Sequence, residues 1–314
     1  MTLHDDPKAF DQVIRLASEK LNINPVFIEK DYWITLLLKR LSESKYAHQV
    51  VFKGGTSLSK GHQLISRFSE DVDLAVISED GQSGSKIKTL IRTVEKELTH
   101  GLKEQYIEGQ TSKGSRFRKS LFEYNTTLKG NTSNRLIIEI NSFANPFPYA
   151  QHTIHAFIAD YFRESGNERF IGEYGMDSFE VNVLDKKQTV IEKLVSLIRF
   201  SFSDIPIDGI RSKIRHFYDL HHLLQDEECN EFIMSEAFQD EFHKLLEHDK
   251  LQFDDPTGWK EKALTDSILM SDFDGVWNQV KQQYNSELGN LAFRAIPEEQ
   301  EVYDSFKTIL KKLS

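Results

Sequence analysis

Between Lys53 and Asp73 the chain reads KGGTSLSKGHQLISRFSEDVD, and this segment narrows the folds open to it more than any other. An apolar run, VVF, stops at two glycines, a short helical stretch follows, and a second run, DVDLAVI, begins with two aspartates one residue apart. Side chains alternate across a strand with period two, so Asp71 and Asp73 point to one face and Val72, Leu74 and Val76 to the other. The second run therefore belongs in a sheet with one face buried and one carrying acid. Two carboxylates side by side repel unless a cation lies between them, and hard oxygen ligands suit magnesium or manganese. Such a pair is suited to phosphate chemistry assisted by two metal ions.

With 314 residues, 39% of them apolar, the chain is long enough for one large domain or two ordinary ones around a well-formed core. It has no run of about 18 apolar residues, and its start, MTLHDDPKAF, lacks the basic and apolar segments of a secretory signal. These features point to the cytoplasm and away from the membrane. One cysteine, Cys229, rules out an intrachain disulfide, and His216, His221 and His222 lack the partners of a zinc site. Metal chemistry here is carboxylate chemistry. The net charge of −10 argues against a protein that coats nucleic acid non-specifically. Two segments are locally basic: KGSRFRK at 113–119, and the run from Lys186 to Arg215 with seven lysines and arginines. Each reads equally well as a solvated face or a local nucleic-acid contact.

Residues 7–20 place Phe10, Val13, Ile14 and Ala17 at helical spacing, and Asn24-Pro25 supplies a cap and first-turn proline for a second helix, PVFIEKDYWITLLLKRL. That helix is apolar almost all round, which implies burial, so Glu29, Lys30 and Asp31 need partners. Strands are expected at 49–53, 71–77, 120–126 and 135–143, with turns at Gly54-Gly55 and Lys129-Gly130-Asn131. After VNVLD at 181–185 the periodicity is helical to the end, with loops expected at FSDIPIDG and at QDEECN, residues 225–230. The boundary is placed there, giving an α+β lobe over 1–185 with a mixed sheet and a helical lobe over 186–314.

Glycines at 54 and 55 let backbone amides approach a ligand, and a helix starting at Thr56 or Ser57 presents free N–H groups to phosphate, with Thr56, Ser57 and Ser59 as possible hydroxyl donors. Alone, the GGTS turn reads first as a tight strand-to-helix connection; followed by DVD it reads as a phosphate site. In RLIIEINSF, Glu139 shares a face with Ile137 and Asn141 and is the candidate third acid, although the solvent face of a half-exposed sheet also suits it. Lys193 lies among Val190, Leu197 and Phe200 on an apolar face, where a lysine either snorkels to water or meets a buried anion such as a triphosphate. The helix RSKIRHFYDLHHLL buries Ile210, Ile214, Phe217 and Leu224 and aligns Arg211, Arg215, Asp219 and His222, either as an Arg215–Asp219 surface pair or as one wall of a cleft.

Over most of its length the chain resembles the AbiEii/AbiGii toxin family of nucleotidyltransferases, in the DNA polymerase β-like superfamily. The resemblance is carried by IEKDYWITLLLKRL, VFKGGTSLSK with RFSEDVDL, IIEIN, EKLVSLIRF and RHFYDLHHLL, in that order. Gly54, Gly55, Ser57, Asp71 and Asp73 match the first motif, Lys193 the lysine motif, and Arg215 with Asp219 the basic-x-x-x-Asp-Leu motif. Two departures stand out: Glu139 where aspartate is common, and His216-Phe217 where many relatives have Arg-Asp. The resemblance implies a nucleotidyltransferase lobe, a helical lobe and a nucleotide cleft between them, in a bacterial toxin opposed by a separately encoded antitoxin. Some relatives extend the 3′ end of tRNA.

On that resemblance Asp71 and Asp73 hold two magnesium or manganese ions, and Glu139 ligates the catalytic metal or takes the acceptor proton. Ser57 and the amides after Gly55 hold the phosphates of an NTP, Lys193 neutralises their charge, and Lys60 and Arg67 assist. Arg215 and Asp219 position the nucleotide or the helical lobe. Two other readings fit the same residues: a non-catalytic nucleotide-binding partner protein, and transfer of a nucleotide to a protein instead of RNA.

Overall fold

Among the described residues, eight strands form one mixed sheet in the order β3-β5-β6-β2-β1-β8-β7, with β4 paired to β5. They are β1 (Val50–Lys53), β2 (Asp71–Val76), β3 (Lys103–Gln105), β4 (Ser112–Lys113), β5 (Phe117–Glu123), β6 (Arg135–Asn141), β7 (Tyr149–Ile154) and β8 (Phe179–Leu184). The computed structural model describes residues 1–313 other than 70, 79–81, 127 and 129–133. The turn expected at Lys129-Gly130-Asn131 lies outside the described residues. β2 runs antiparallel to β1 and parallel to β6, and β8 runs parallel to β1. A mixed sheet flanked by helices is the α+β class expected from sequence.

The chain divides into two compact units, one comprising Met1–Gln63 and Phe68–Leu184, the other Leu64–Arg67 and Asp185–Ser314. The first holds the sheet with helices α1 (Pro7–Leu21), α2 (Pro25–Glu43), α3 (Gly54–Lys60), α4 (Gly84–Leu98), α5 (Phe157–Glu164) and α6 (Arg169–Glu173). Side chains of Asp6 and Asn24 accept hydrogen bonds from the first amides of α1 and α2, each followed by proline at the first helical position. The strands expected at 49–53, 71–77 and 135–143 fall on β1, β2 and β6, whereas the strand expected at 120–126 begins at Phe117. β3, β4 and β7 carry no clear alternation because they are short or half-exposed; β7, YAQHTI, is an edge strand bonded on one side.

The sheet face beneath Val72, Leu74, Ile138 and Ile140 is fully buried. Arg118 and Ser120 of β5 project to that face and engage Glu95 of α4, the arginine with Nη2 2.5 Å from Oε2. α2 is buried continuously from Ile28 to Leu38, and its carboxylates Glu29 and Asp31 are met by hydrogen-bond donors. Oγ1 of Thr126 donates to Glu29 at 2.6 Å. Asp31 accepts from the first amide of α5, Phe157 N, at 2.8 Å and from Nζ of Lys60. Lys60, counted from sequence among the nucleotide-binding residues, closes α3 against α2, and its side chain is 7% exposed. Its second bond goes to the His155 carbonyl at 3.0 Å.

The second unit is helical: α7 (Lys186–Phe200), α8 (Pro206–Arg211), α9 (Ile214–Gln225), α10 (Glu227–Met234), α11 (Ala237–Gln252), α12 (Ile268–Ser271), α13 (Phe273–Leu291) and α14 (Glu299–Leu310). Phe217 of α9 packs edge-on against Trp277 of α13 and Phe306 of α14, at centroid distances of 5.5 and 4.6 Å. Two loop expectations need correction. Pro206 starts α8 inside FSDIPIDG, and a Cβ on Gly209 would stand 2.1 Å from the Phe200 carbonyl, so glycine lets α8 fold back onto the end of α7. QDEECN is mostly helix: Asp226 caps α10 through Cys229 N, and Glu227 and Glu228 in the first turn complement the helix dipole. The single helix expected over RSKIRHFYDLHHLL is likewise two, broken at Ser212-Lys213.

Removing Asp31 leaves the Lys60 ammonium buried without its carboxylate. Asp31→Ala is expected to lower the unfolding free energy by about 3–5 kcal/mol in urea titrations. The double variant Asp31→Ala/Lys60→Met should recover part of that loss.

Candidate active site

Strand register builds the acidic site. β2 pairs with β6 so that Asp73 stands opposite Glu139 and Asp71 opposite Ile137. Lys53 of β1 is the register partner of Asp73, and Lys119 of β5 that of Glu139. One row across four strands thus reads Lys53, Asp73, Glu139, Lys119, with Asp71 two residues along β2 on the same face. Directly opposed residues lie about 4.5–5.5 Å apart at their Cβ atoms, so this is one electrostatic unit. Asp71, Asp73 and Glu139 are partly exposed while Val72, Leu74, Ile138 and Ile140 between them are buried. The acid face and the apolar face expected from the DVD alternation are both present.

The glycine turn serves this row. Gly54 has φ +76°, in the left-handed region, and a Cβ there would lie 2.1 Å from Oδ2 of Asp73. The absent side chain is what lets the Asp73 carboxylate lie against the start of α3. That helix begins at Gly54, two residues before the expected start. The hydroxyls proposed as phosphate donors have backbone acceptors instead: Thr56 donates to the Asp71 carbonyl at 2.5 Å, Ser57 to Gly54 at 2.9 Å and Ser59 to Thr56 at 3.0 Å. Thr56 and Ser57 therefore tie the turn together, and Thr56 ties it to the acidic strand.

Lys119 is the residue that sequence reasoning missed. Its Nζ lies 2.6 Å from Oε1 of Glu139, with side chains 34% and 22% exposed. Partial burial lowers its pKa, but the bond and charge of Glu139, with the charges of Asp71 and Asp73, prevail and raise it. Lys119 is thus firmly an ammonium facing three carboxylates. The sequence signal was the alternation Phe117, Lys119, Leu121, hidden by starting the strand at 120. Two other cations of KGSRFRK are also engaged internally, Lys113 with Glu104 and Arg118 with Glu95.

The other sequence-predicted residues gather in the second unit. Asp219 is fully buried, and the Arg67 guanidinium grips it with both ends, Nε to Oδ1 at 2.7 Å and Nη2 to Oδ2 at 2.6 Å. Nζ of Lys193, 5% exposed, lies 2.7 Å from the same Oδ2. The buried anion expected for a lysine on that apolar face is therefore a carboxylate of its own unit. Burial pushes the Asp219 carboxyl up, but the charges of Arg67 and Lys193 outweigh it and hold the group far below the ordinary carboxylate range. His216 beside them is held neutral by burial and by the Lys193 charge, and its Nδ1 is shielded without a hydrogen-bond partner. Of the two readings of that helix, the surface pair between Arg215 and Asp219 does not form: Nε of Arg215 lies 3.3 Å from Oε1 of Glu287, and Asp219 turns inward to Arg67 and Lys193. In the basic run from Lys186 to Arg215, Lys186, Arg199 and Arg211 pair with Asp226, Asp249 and Asp208.

Carboxylate oxygens on one sheet face are the hard donor type that a divalent ion takes. Among the described residues no three histidine, cysteine, aspartate or glutamate side chains converge closely enough to hold a metal. Among the same residues no helix is long and apolar enough to cross a membrane.

A family model described as nucleotidyl transferase AbiEii toxin, type IV TA system, matches residues 36–311. Among solved structures the chain is similar to MenT4, a nucleotidyltransferase toxin from Mycobacterium tuberculosis H37Rv, at 18% identity and a TM-score of 0.53. That similarity covers 96% of this chain and 89% of the other, and at such identity it concerns the fold. No curated protein matches the chain.

Gly54→Ala should force Asp73 away from the turn and abolish nucleotide transfer, while urea unfolding shifts by only about 1–3 kcal/mol. For Asp219 the depressed pKa means that its contribution to stability is fully present above pH about 4 and is lost as pH falls toward the folded-state value. Asp219→Asn is expected to lower Tm at pH 7 and to flatten the fall of Tm below pH 4, as read by circular dichroism.

Proposed function

The chain belongs to the AbiEii nucleotidyltransferase toxin family of type IV toxin–antitoxin systems, and from that premise we propose that Asp71, Asp73 and Glu139 form the metal-binding half of its active site. In this reading the enzyme transfers NMP from an NTP to the 3′ end of an RNA, with tRNA as the acceptor. The observation that carries the proposal is the register row: Asp73 and Glu139 face each other across parallel strands, and Asp71 lies on the same face of β2.

The reaction is an in-line displacement. The acceptor hydroxyl oxygen attacks the α-phosphorus and gives up its proton to a carboxylate such as Glu139 or to solvent, the bond from that phosphorus to the bridging oxygen of the β-phosphate breaks, and pyrophosphate leaves with the bonding electrons. Magnesium or manganese, when bound, neutralises charge on the α-phosphate and makes the acceptor hydroxyl easier to deprotonate. Asp71 and Asp73 supply hard oxygen ligands from one strand face, and Glu139 completes the set from the neighbouring strand. Gly54 holds the Asp73 carboxylate at the turn, and the amides following Gly55 are the part of α3 assigned to the phosphates. Lys193 and Arg67 fix Asp219, which shapes the helical unit; Arg215, through Glu287, holds α9 to α13. An enzyme using NTP and RNA works in the cytoplasm, where a separately encoded antitoxin opposes it.

Purified protein incubated with magnesium, each α-labelled NTP and total RNA is expected to label a small RNA, and Asp71→Ala and Asp73→Ala to abolish labelling. Undiminished labelling in both variants would remove the metal assignment. Label in a polypeptide band instead would make the acceptor a protein. Expression of the wild type should arrest growth and Asp73→Ala should not.

A further inference from the structure

We propose that Lys119 is the internal counter-cation of the carboxylate row and competes with a divalent ion for Glu139. The inference rests on the reading of Asp71, Asp73 and Glu139 as the metal site, and deepens it.

Three observations carry it. Nζ of Lys119 stands 2.6 Å from Oε1 of Glu139, on the acid face of the sheet. Register places Glu139 between Lys119 on one side and Asp73 on the other, so its carboxylate can lean toward either neighbour. Although Asp71, Asp73 and Glu139 share this face, the described residues contain no converged set of three ligands, and the partner Glu139 has found is the ammonium. Geometry also keeps Lys119 in place. Its strand neighbours Arg118 and Ser120 project to the opposite face and engage Glu95 of α4, which anchors β5.

An ammonium fixed beside a dication site opposes the dication twice: by direct repulsion, and by holding the oxygen that the dication needs. Lys119 is thus a positioning residue. With Lys53 it offsets the charge of the acid row, and it sets the concentration of free divalent ion at which the carboxylate set fills.

The test uses the full-length chain and Mn2+ alone, without nucleotide, with bound and free ion separated by electron paramagnetic resonance. Lys119→Gln and Lys119→Met are both expected to lower the Kd for Mn2+ by about tenfold or more, because each removes one unit charge from beside the site. Lys119→Arg, which keeps the charge, should bind no more tightly than the wild type. Asp73→Asn should abolish binding in both the wild-type and Lys119→Gln backgrounds. If a neutral variant that melts like the wild type binds Mn2+ equally or more weakly, Lys119 only orients Glu139 and the inference falls, while the metal site stands. If Asp73→Asn leaves Mn2+ binding unchanged, the metal-site reading falls instead. Should one neutral variant fail to fold, the other and Lys119→Arg decide the matter.

Discussion

β2 has to satisfy opposite demands on its two faces, and the architecture of the first unit follows from them. Val72 and Leu74 require a dry layer beneath the sheet, while Asp71 and Asp73 require water or cations above it. Strand alternation lets six residues meet both demands, provided that the neighbouring strands keep register. β6 does so with Ile138 and Ile140 below and Glu139 above, and β5 with Ser120 below and Lys119 above. A slip of one residue in any of these pairings would carry a charged side chain into the apolar layer.

Charge balance is local in both units. The acid row in the sheet is flanked by Lys53 and Lys119, and Asp219 in the helical unit is held by Arg67 and Lys193. The two clusters differ in burial, and this separates their physical roles. Asp219 has no exposed surface, so its ion pairs are a condition of folding, and an unpaired partner would be strongly destabilising. The sheet carboxylates are partly open, which is the condition that the proposed exchange of Lys119 for a divalent ion requires. Chain connectivity links the clusters: Arg67 belongs to the helical unit and precedes the acidic strand by four residues in sequence.

Much of the site was legible because strand and helix periods act on neighbouring residues. Two aspartates one residue apart, a glutamate in RLIIEIN and a lysine on an apolar helix face each stood against a local pattern. What could not be read was partner choice. Asp219 has Arg215 at helical spacing, yet its partners are Arg67 and Lys193, because α9 turns that carboxylate inward and Arg215 toward Glu287. Lys60 and the hydroxyls of Thr56 and Ser57 resembled ligand contacts for the same reason: the types of group were visible, and the acceptors, Asp31 and two backbone carbonyls, were not.

By itself, then, the sequence determined the α+β class, the strand with acid on one side and apolar residues on the other, the glycine turn before it, and the family resemblance. These depend on the alternation and composition of contiguous residues. Only the tertiary structure decided that Glu139 faces Asp73, that Lys119 holds Glu139, and that Gly54 is a glycine because Asp73 occupies the space of its side chain. Those facts depend on strand order and register among segments separated by up to about seventy residues, and cross-strand neighbours are set by pairing, which no local period encodes.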